Sequence, residues 1–269
     1  MEPSTPFAGA LHTQQPGQPS HPGQQQQPQP TQPQQPNQIA SSMTNISGNN
    51  SGIAYRIDHR DSNTLVVANI SNGASMKVKP GAMVAMEASV QIRGEVKVSF
   101  RKLFTGGSMA ESIFSGFGEV LLAPDIWGDV IPINIDGQTT WRIGKDAFLA
   151  STSEVMRTNK SQGIGKGLFS GEGIFVTEVT GQGILFVQSL GAIIKRELRQ
   201  SEEWVVDNGH LVAWTATYKI ERIKGGGFIS RAATDEGLVC RFTGPGTIYI
   251  QTRNPDNLIG WIRAQMPAS

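Results

Sequence analysis

Two stretches of this chain alternate apolar and polar side chains with a period of two. Val84, Met86, Ala88, Val90 and Ile92 alternate with Ala85, Glu87, Ser89, Gln91 and Arg93. Val212, Trp214, Ala216, Tyr218 and Ile220 alternate with Ala213, Thr215, Thr217, Lys219 and Glu221. Successive side chains of a strand face opposite ways, so the pattern predicts strands buried on one face. Shorter apolar runs, Ile184-Leu-Phe-Val187 and Thr247-Ile-Tyr-Ile250, follow Gly-Gln-Gly and Gly-Pro-Gly segments. These segments read as turns, because glycine takes up positive φ without a Cβ clash. Helix is scarce. Ile193, Ile194, Glu197 and Leu198 could form one helical stripe, but their place between two repeats favours a strand.

The pattern recurs three times. Gly81-Ala-Met-Val-Ala85 returns as Asp146-Ala-Phe-Leu-Ala150 and again as Gly209-His-Leu-Val-Ala213. The closing alanines stand 65 and then 63 positions apart. Upstream of them, Met76-Lys-Val78, Trp141-Arg-Ile143 and Trp204-Val-Val206 keep the same offsets. Downstream, Glu119, Glu172 and Glu236 hold equivalent places. A period in this range marks one supersecondary unit used three times, here about residues 65–129, 130–192 and 193–255. Many short strands with abundant glycine predict an all-β fold, a three-repeat β-sandwich or closed roll. The first repeat is longer by about a dozen residues, placed within 101–117. That insertion, with Gly106-Gly-Ser-Met-Ala-Glu-Ser-Ile-Phe114, is the better helix candidate.

Composition separates a tail from this body. Residues 1–38 hold nine of the 15 prolines and the run Gln24 to Gln27, and Glu2 is the only charge before Arg56. Such a segment buries too little apolar surface to offset its ordering entropy, so residues 1–50 are expected to be a disordered tail. The body is then a single β-rich domain over 53–263, starting near Ile53. Residues 1–40 contain no Arg or Lys, so no conventional mitochondrial presequence is expected there. The lone Cys240 fits a reducing compartment and reads as a packed strand residue. A net charge of +1 lacks the basic excess of a dedicated nucleic-acid binder.

Several longer motifs resemble one family. They are Gly118-Glu-Val-Leu-Leu-Ala-Pro124, Gly171-Glu-Gly-Ile-Phe, Gly181-Gln-Gly-Ile-Leu-Phe-Val-Gln-Ser189, Val206-Asp-Asn-Gly-His-Leu-Val-Ala-Trp214 and Gly244-Pro-Gly-Thr-Ile-Tyr-Ile-Gln-Thr-Arg253. In order and over about residues 53–263, they resemble the family of altered inheritance of mitochondria protein 24, with its bacterial relatives of unassigned activity. The resemblance implies a fold like the tryptophan RNA-binding attenuator protein, with double-stranded β-helix character. It also implies a link to mitochondrial organisation, through a member that supports cristae-organising and respiratory assemblies at the inner membrane. A homo-oligomer is expected for this family. No catalytic residues are carried over.

Candidate chemistry is thin. The body has two histidines, His59 and His210, too few for a cupin-like metal site. His210, in Asp207-Asn-Gly-His, reads as a turn histidine entering a strand. His59-Arg-Asp61 lacks every other kinase element. Gly163-Ile-Gly-Lys-Gly167 lacks the Ser or Thr that follows the lysine of a phosphate loop. Recurrence of Glu119, Glu172 and Glu236 suits a structural job, such as accepting turn N–H bonds, better than acid–base work. Lys195, Arg196, Arg199, Arg222 and Lys224 are interleaved with Glu197, Glu202, Glu203 and Glu221, which describes a solvated strand face.

The expectation is therefore a non-enzymatic scaffold or assembly factor. It has no cofactor, no metal and no membrane span, and its partners are protein complexes rather than nucleic acid. A cytosolic RNA- or small-ligand-binding module is the alternative. The candidate partner surface is the insertion: Gly106, Gly107, Met109, Ile113, Phe114 and Phe117, the alternative being that Ile113, Phe114 and Phe117 plug one end of the sandwich.

Overall fold

The computed structural model describes residues 46–96, 110–162, 174–222 and 238–266, all within one compact unit. Their regular secondary structure is nearly all strand. Two strands open the described part, β1 (Ile46–Asn50) and β2 (Ile53–Asp58). The first unit follows with β3 (Leu65–Ile70), β4 (Ser75–Val78), β5 (Met83–Met86), β6 (Val90–Val96), β7 (Ala110–Gly116) and β8 (Gly118–Leu122). The second holds β9 (Val130–Asp136), β10 (Trp141–Ile143), β11 (Phe148–Thr152), β12 (Val155–Gln162) and the long β13 (Ile174–Gln188). The third holds β14 (Ile193–Leu198), β15 (Glu203–Asp207), β16 (Leu211–Trp214), β17 (Thr217–Arg222), β18 (Leu238–Thr243) and β19 (Gly246–Gln251). A helix, α1 (Pro255–Gln265), closes the chain.

Each unit repeats one antiparallel pairing scheme. β8 lies between β3 and β5, the C-terminal half of β13 between β9 and β11, and β19 between β14 and β16. β7 lies between β4 and β6, the N-terminal half of β13 between β10 and β12, and β18 between β15 and β17. The alanine repeat marks a shared irregularity. The register shifts between Met83 and Ala85, between Phe148 and Ala150, and between Leu211 and Ala213. An extra residue there bends the strand and raises its twist, which carries each unit from one sheet toward the next.

The Gly-x-Gly segments are corners rather than loop turns. Gly181 and Gly183 sit inside the unbroken β13, at the point where it leaves one sheet and enters another. Gly116 and Gly118 flank Phe117 at the same place in unit one, and Gly244 and Gly246 flank Pro245 in unit three. A Cβ on Gly116, Gly181 or Gly244 would overlap the carbonyl oxygen of Ser89, Glu154 or Arg199 respectively. Backbone passes too close for any side chain, so glycine recurs.

Units join by strand pairing. β11 of unit two pairs with β4 of unit one, and β16 of unit three pairs with β10 of unit two. The apolar clusters follow these seams. The first combines unit-one residues such as Met76 and Val120 with Leu149, Ala150 and Phe186 of unit two. The second combines Ile143 and Val179 with Val212 and Ala213 of unit three. The third is built from Trp214, Cys240, Phe242 and Ile248 of unit three, with Val176 of unit two.

Three expectations are corrected. The body includes Ile46–Asn50, upstream of the expected start near Ile53, because β1 pairs with β2 along its full length and Ile46 packs on the first cluster. The expected helix of the insertion is a strand where it is described: β7 is laddered between β4 and β6, and that pairing satisfies its backbone. The helix that does form, α1, lies where none was expected. Asn254 caps it by accepting from the N–H of Asp256, with Pro255 at its first position.

Candidate functional surface

Polar side chains inside the body gather at two junctions. Between units one and two, Arg60 grips Asp129 with two parallel bonds, Nε to Oδ1 at 2.8 Å and Nη2 to Oδ2 at 2.6 Å. Thr64 Oγ1 and the N–H of Val130 also donate to Oδ1, at 3.4 and 2.8 Å. Both charged side chains are almost wholly desolvated, and such a pair is tolerated only when its remaining hydrogen-bonding capacity is used. Nearby, Ser189 Oγ donates to Gly191 O at 2.7 Å and accepts from the N–H of Asp129 at 3.2 Å. That hydroxyl is committed to backbone. The junction is a bracket.

The second junction is the turn into β16. Asp207 Oδ1 accepts from the N–H of Gly209 at 3.2 Å, and Oδ2 accepts from Asn254 Nδ2 at 3.2 Å. His210 Nδ1 meets Gln251 O at 2.7 Å, and a carbonyl only accepts, so Nδ1 carries the proton. His210 Nε2 lies 3.7 Å from Asp207 Oδ2, beyond a hydrogen bond. The imidazole thus ties a 3-10 turn, Asn208–His210, to the end of β19. Cys240 sits on β18 between Val206 and Ile220. Burial, with the Asp207 carboxylate adding to it, pushes its thiol up from 9.0 to about 12. A thiol that stays protonated at neutral pH is a packing group.

Three basic residues on these strands are paired. Lys195 reaches Glu197 at 2.5 Å, and Arg196 reaches Glu202 at 2.6 Å while lying over Trp204. Arg241 spans Glu203 and Glu221. Lys224 lies outside the described residues, as do Gly163 to Gly167, Glu172 and Glu236. Glu119 faces Arg56 at 3.8 Å, so its side chain serves an exposed ion pair rather than the expected turn N–H groups, and its equivalents in the later units are Ile184 and Thr247, not Glu172 and Glu236. Among the described residues no group of three or more His, Cys, Asp or Glu could hold a metal ion. No described helix is long and apolar enough to cross a membrane.

Of the six residues expected to form a partner surface, Gly106, Gly107 and Met109 lie outside the described residues. The other three diverge. Phe114 is 2% exposed, because it faces the first cluster from β7, opposite Met76 on one side and Ile92 on the other. It is a core residue, and its assignment to the surface is corrected here. Ile113 is half-buried on the opposite face of β7. Phe117 is 61% exposed, held between the corner glycines Gly116 and Gly118.

Two exposed tryptophans lie outside that expected surface, Trp261 on α1 and Trp127 beside Gly128. Trp127 is 64% exposed, with Ile126 exposed beside it. Its backbone is pinned: the N–H of Gly191 donates to Trp127 O, and the N–H of Asp129 donates to Gly191 O, both at 3.0 Å. A Cβ on the intervening Gly128 would overlap Ser189 O, so the backbones touch. The signal was available in the repeat. Ser62 and Leu190 occupy the equivalent places, one polar and one buried, so a tryptophan there breaks the pattern.

Together these features define a three-unit β protein whose buried polar groups brace its seams and which presents Phe117 and Trp127 on rigid corners. The mitochondrial biogenesis AIM24 family matches residues 55–253, and the chain belongs to that family. It is similar to an uncharacterised protein of Streptococcus pyogenes serotype M6, at 29% identity over 229 residues, which is 80% of this chain and 92% of that relative. The crystal structure of a Streptococcus pyogenes protein shares the fold at a TM-score of 0.65 and 27% identity. That match covers 80% of this chain and 100% of the bacterial one.

Proposed function

We propose that this chain is a non-catalytic scaffold that supports the assembly or maintenance of protein complexes linked to mitochondrial organisation. The observation that carries the reading is Trp127, a large aromatic presented to solvent on a backbone pinned from both sides. Tryptophan on a rigid support is the residue type that most often dominates a protein interface, since little conformational freedom is lost when it docks. Phe117, on its glycine corner, offers a second contact of the same kind. Family membership supplies the mitochondrial connection. The polar junctions support a structural use of the side chains that would otherwise be candidates for chemistry, since Asp129, Ser189 and His210 are all engaged in bracing the fold.

The test is protease protection of mitochondria from cells carrying the C-terminally tagged full chain, followed by co-purification of partners with Trp127→Ala. Protection inside mitochondria, with partners lost from a Trp127→Ala protein that melts normally, is the expected result. A purely cytosolic pool contradicts the mitochondrial part of the reading. Unchanged partner recovery contradicts the role of Trp127. Salt-sensitive retention of RNA by the purified chain would instead favour a nucleic-acid-binding module.

A further inference from the structure

The units add to one another by a fixed rule, and the rule leaves two ends open. A β5-type strand of one unit pairs with the β4-type strand of the unit before it, as β11 does with β4 and β16 with β10. Among the described strands, β5 pairs with β8 alone and β15 with β18 alone. The open ends therefore expose, in the first and third units, the two halves of the seam that the chain builds twice internally.

Side-chain exposure shows what is missing. Leu149 and Val212 are 0% exposed, because each is covered by the unit before it; their equivalent in unit one, Val84, is 58% exposed. Met83 and Met86 are exposed on the same strand. The third apolar cluster, unlike the first two, receives nothing from a following unit. An unpaired edge carrying exposed apolar side chains is a template for another strand.

We propose that a second copy of this chain covers β5, docking its β15 there to continue the repeat head to tail. The register follows from the internal seams. Ala150 lies opposite Val78, and Ala213 opposite Ile143, so Ala85 of one copy lies opposite Val206 of the next. Ser151 opposite Lys77, and Trp214 opposite Arg142, place Met86 opposite Val205. Where the internal seams set a cation at this position, the third unit has an exposed valine, and the residue it meets is an exposed methionine. That pair suits direct cross-strand apolar contact. Ile92, also exposed, stands where Arg157 and Ile220 approach the two internal seams. The association is heterologous, so it closes into a ring or extends as an open array. It is independent of the function proposed above and stands or falls separately from it.

The experiment measures the mass of the full chain in solution and traps the register. Species larger than the 29.0 kDa monomer are expected, and they collapse to the monomer in Val84→Glu, whose exposed position leaves the monomer fold unaffected. A chain carrying both Met86→Cys and Val205→Cys should give an oxidised ladder. Mixing the two single variants should give dimers only, while each alone gives none, because the native Cys240 is buried. The proposal is overturned by a wild-type chain that stays monomeric. It is also overturned by Met86→Cys cross-linking to itself, which would make the contact two-fold, or by a disulfide closing within one chain.

Discussion

At the scale of single residues, the structure separates two phenylalanines that the sequence placed together. Phe114 and Phe117 both stand near the end of the insertion, and the sequence alone gives no reason to divide them. The division comes from the ladder: on β7, Phe114 falls opposite Met76 and faces the core, whereas Phe117 occupies a corner between two glycines. Phe114→Ala should therefore cost about 3–5 kcal/mol of stability, and Phe117→Ser within about 0.5 kcal/mol. Urea melts of the two variants check this. Equal losses would put Phe117 in the core as well. Cys240 gives a second prediction. Its folded thiol titrates above the ordinary value, so the folded state favours the protonated form and its contribution is fully present below pH 9.0. The contribution is lost as pH rises from there toward about 12. Native protein should resist alkylation at neutral pH, and Cys240→Ala should flatten the extra alkaline loss of stability; rapid labelling of the native chain would contradict it.

At the scale of elements, the seams between units decide more than the strands themselves. Arg157 of β12 crosses to Glu111 of β7 at 2.5 Å, and its guanidinium lies over the ring of Phe148. Burial pulls the Arg157 pKa below its ordinary value, and Glu111 offsets that loss. Removing only the carboxylate leaves a desolvated cation, so Glu111→Ala should cost about 3–5 kcal/mol. The equivalent positions of the next seam are Val176 and Ile220, both in the third apolar cluster or packed on it. Combining Glu111→Val with Arg157→Ile should therefore recover most of that loss, which a double-mutant cycle in denaturant measures. A double variant as unstable as Glu111→Ala would show the seams are not interchangeable. The strands were legible because the repeat keeps a fixed offset, which the register shifts at Ala85, Ala150 and Ala213 share; the alternation over Val84–Ile92 misled, since it spans two strands, β5 and β6, and Val84, Met86 and Ile92 are exposed rather than buried. The seams were not legible, because which strand neighbours which depends on how whole units stack. Strand β1 escaped notice for a different reason: Ser47, Asn49 and Asn50 look like tail, and only pairing to β2 orders them. The α1 helix does carry a local signature, Asn254-Pro-Asp256, an N-cap followed by proline at the first helical position.

At the scale of the whole molecule, three copies of one unit are joined by a contact that any further unit could extend. The buried ion pair of Arg60 with Asp129 and the crossing of Arg157 to Glu111 brace the first seam from separate positions. Nothing in the sequence distinguished an open chain of units from a closed one, because the evenness of the repeat is the same in both. The exposure of Val84 against the burial of Leu149 and Val212 makes that distinction. The most direct measurement is backbone hydrogen exchange of the full chain over a series of protein concentrations, read at Met83–Met86 and Glu203–Asp207. Protection should rise at both strands together as concentration increases, with the central seams of β4 with β11 and β10 with β16 protected throughout. Exchange at β5 and β15 that stays fast at every concentration, or protection of one without the other, would contradict a molecule built to continue its own repeat.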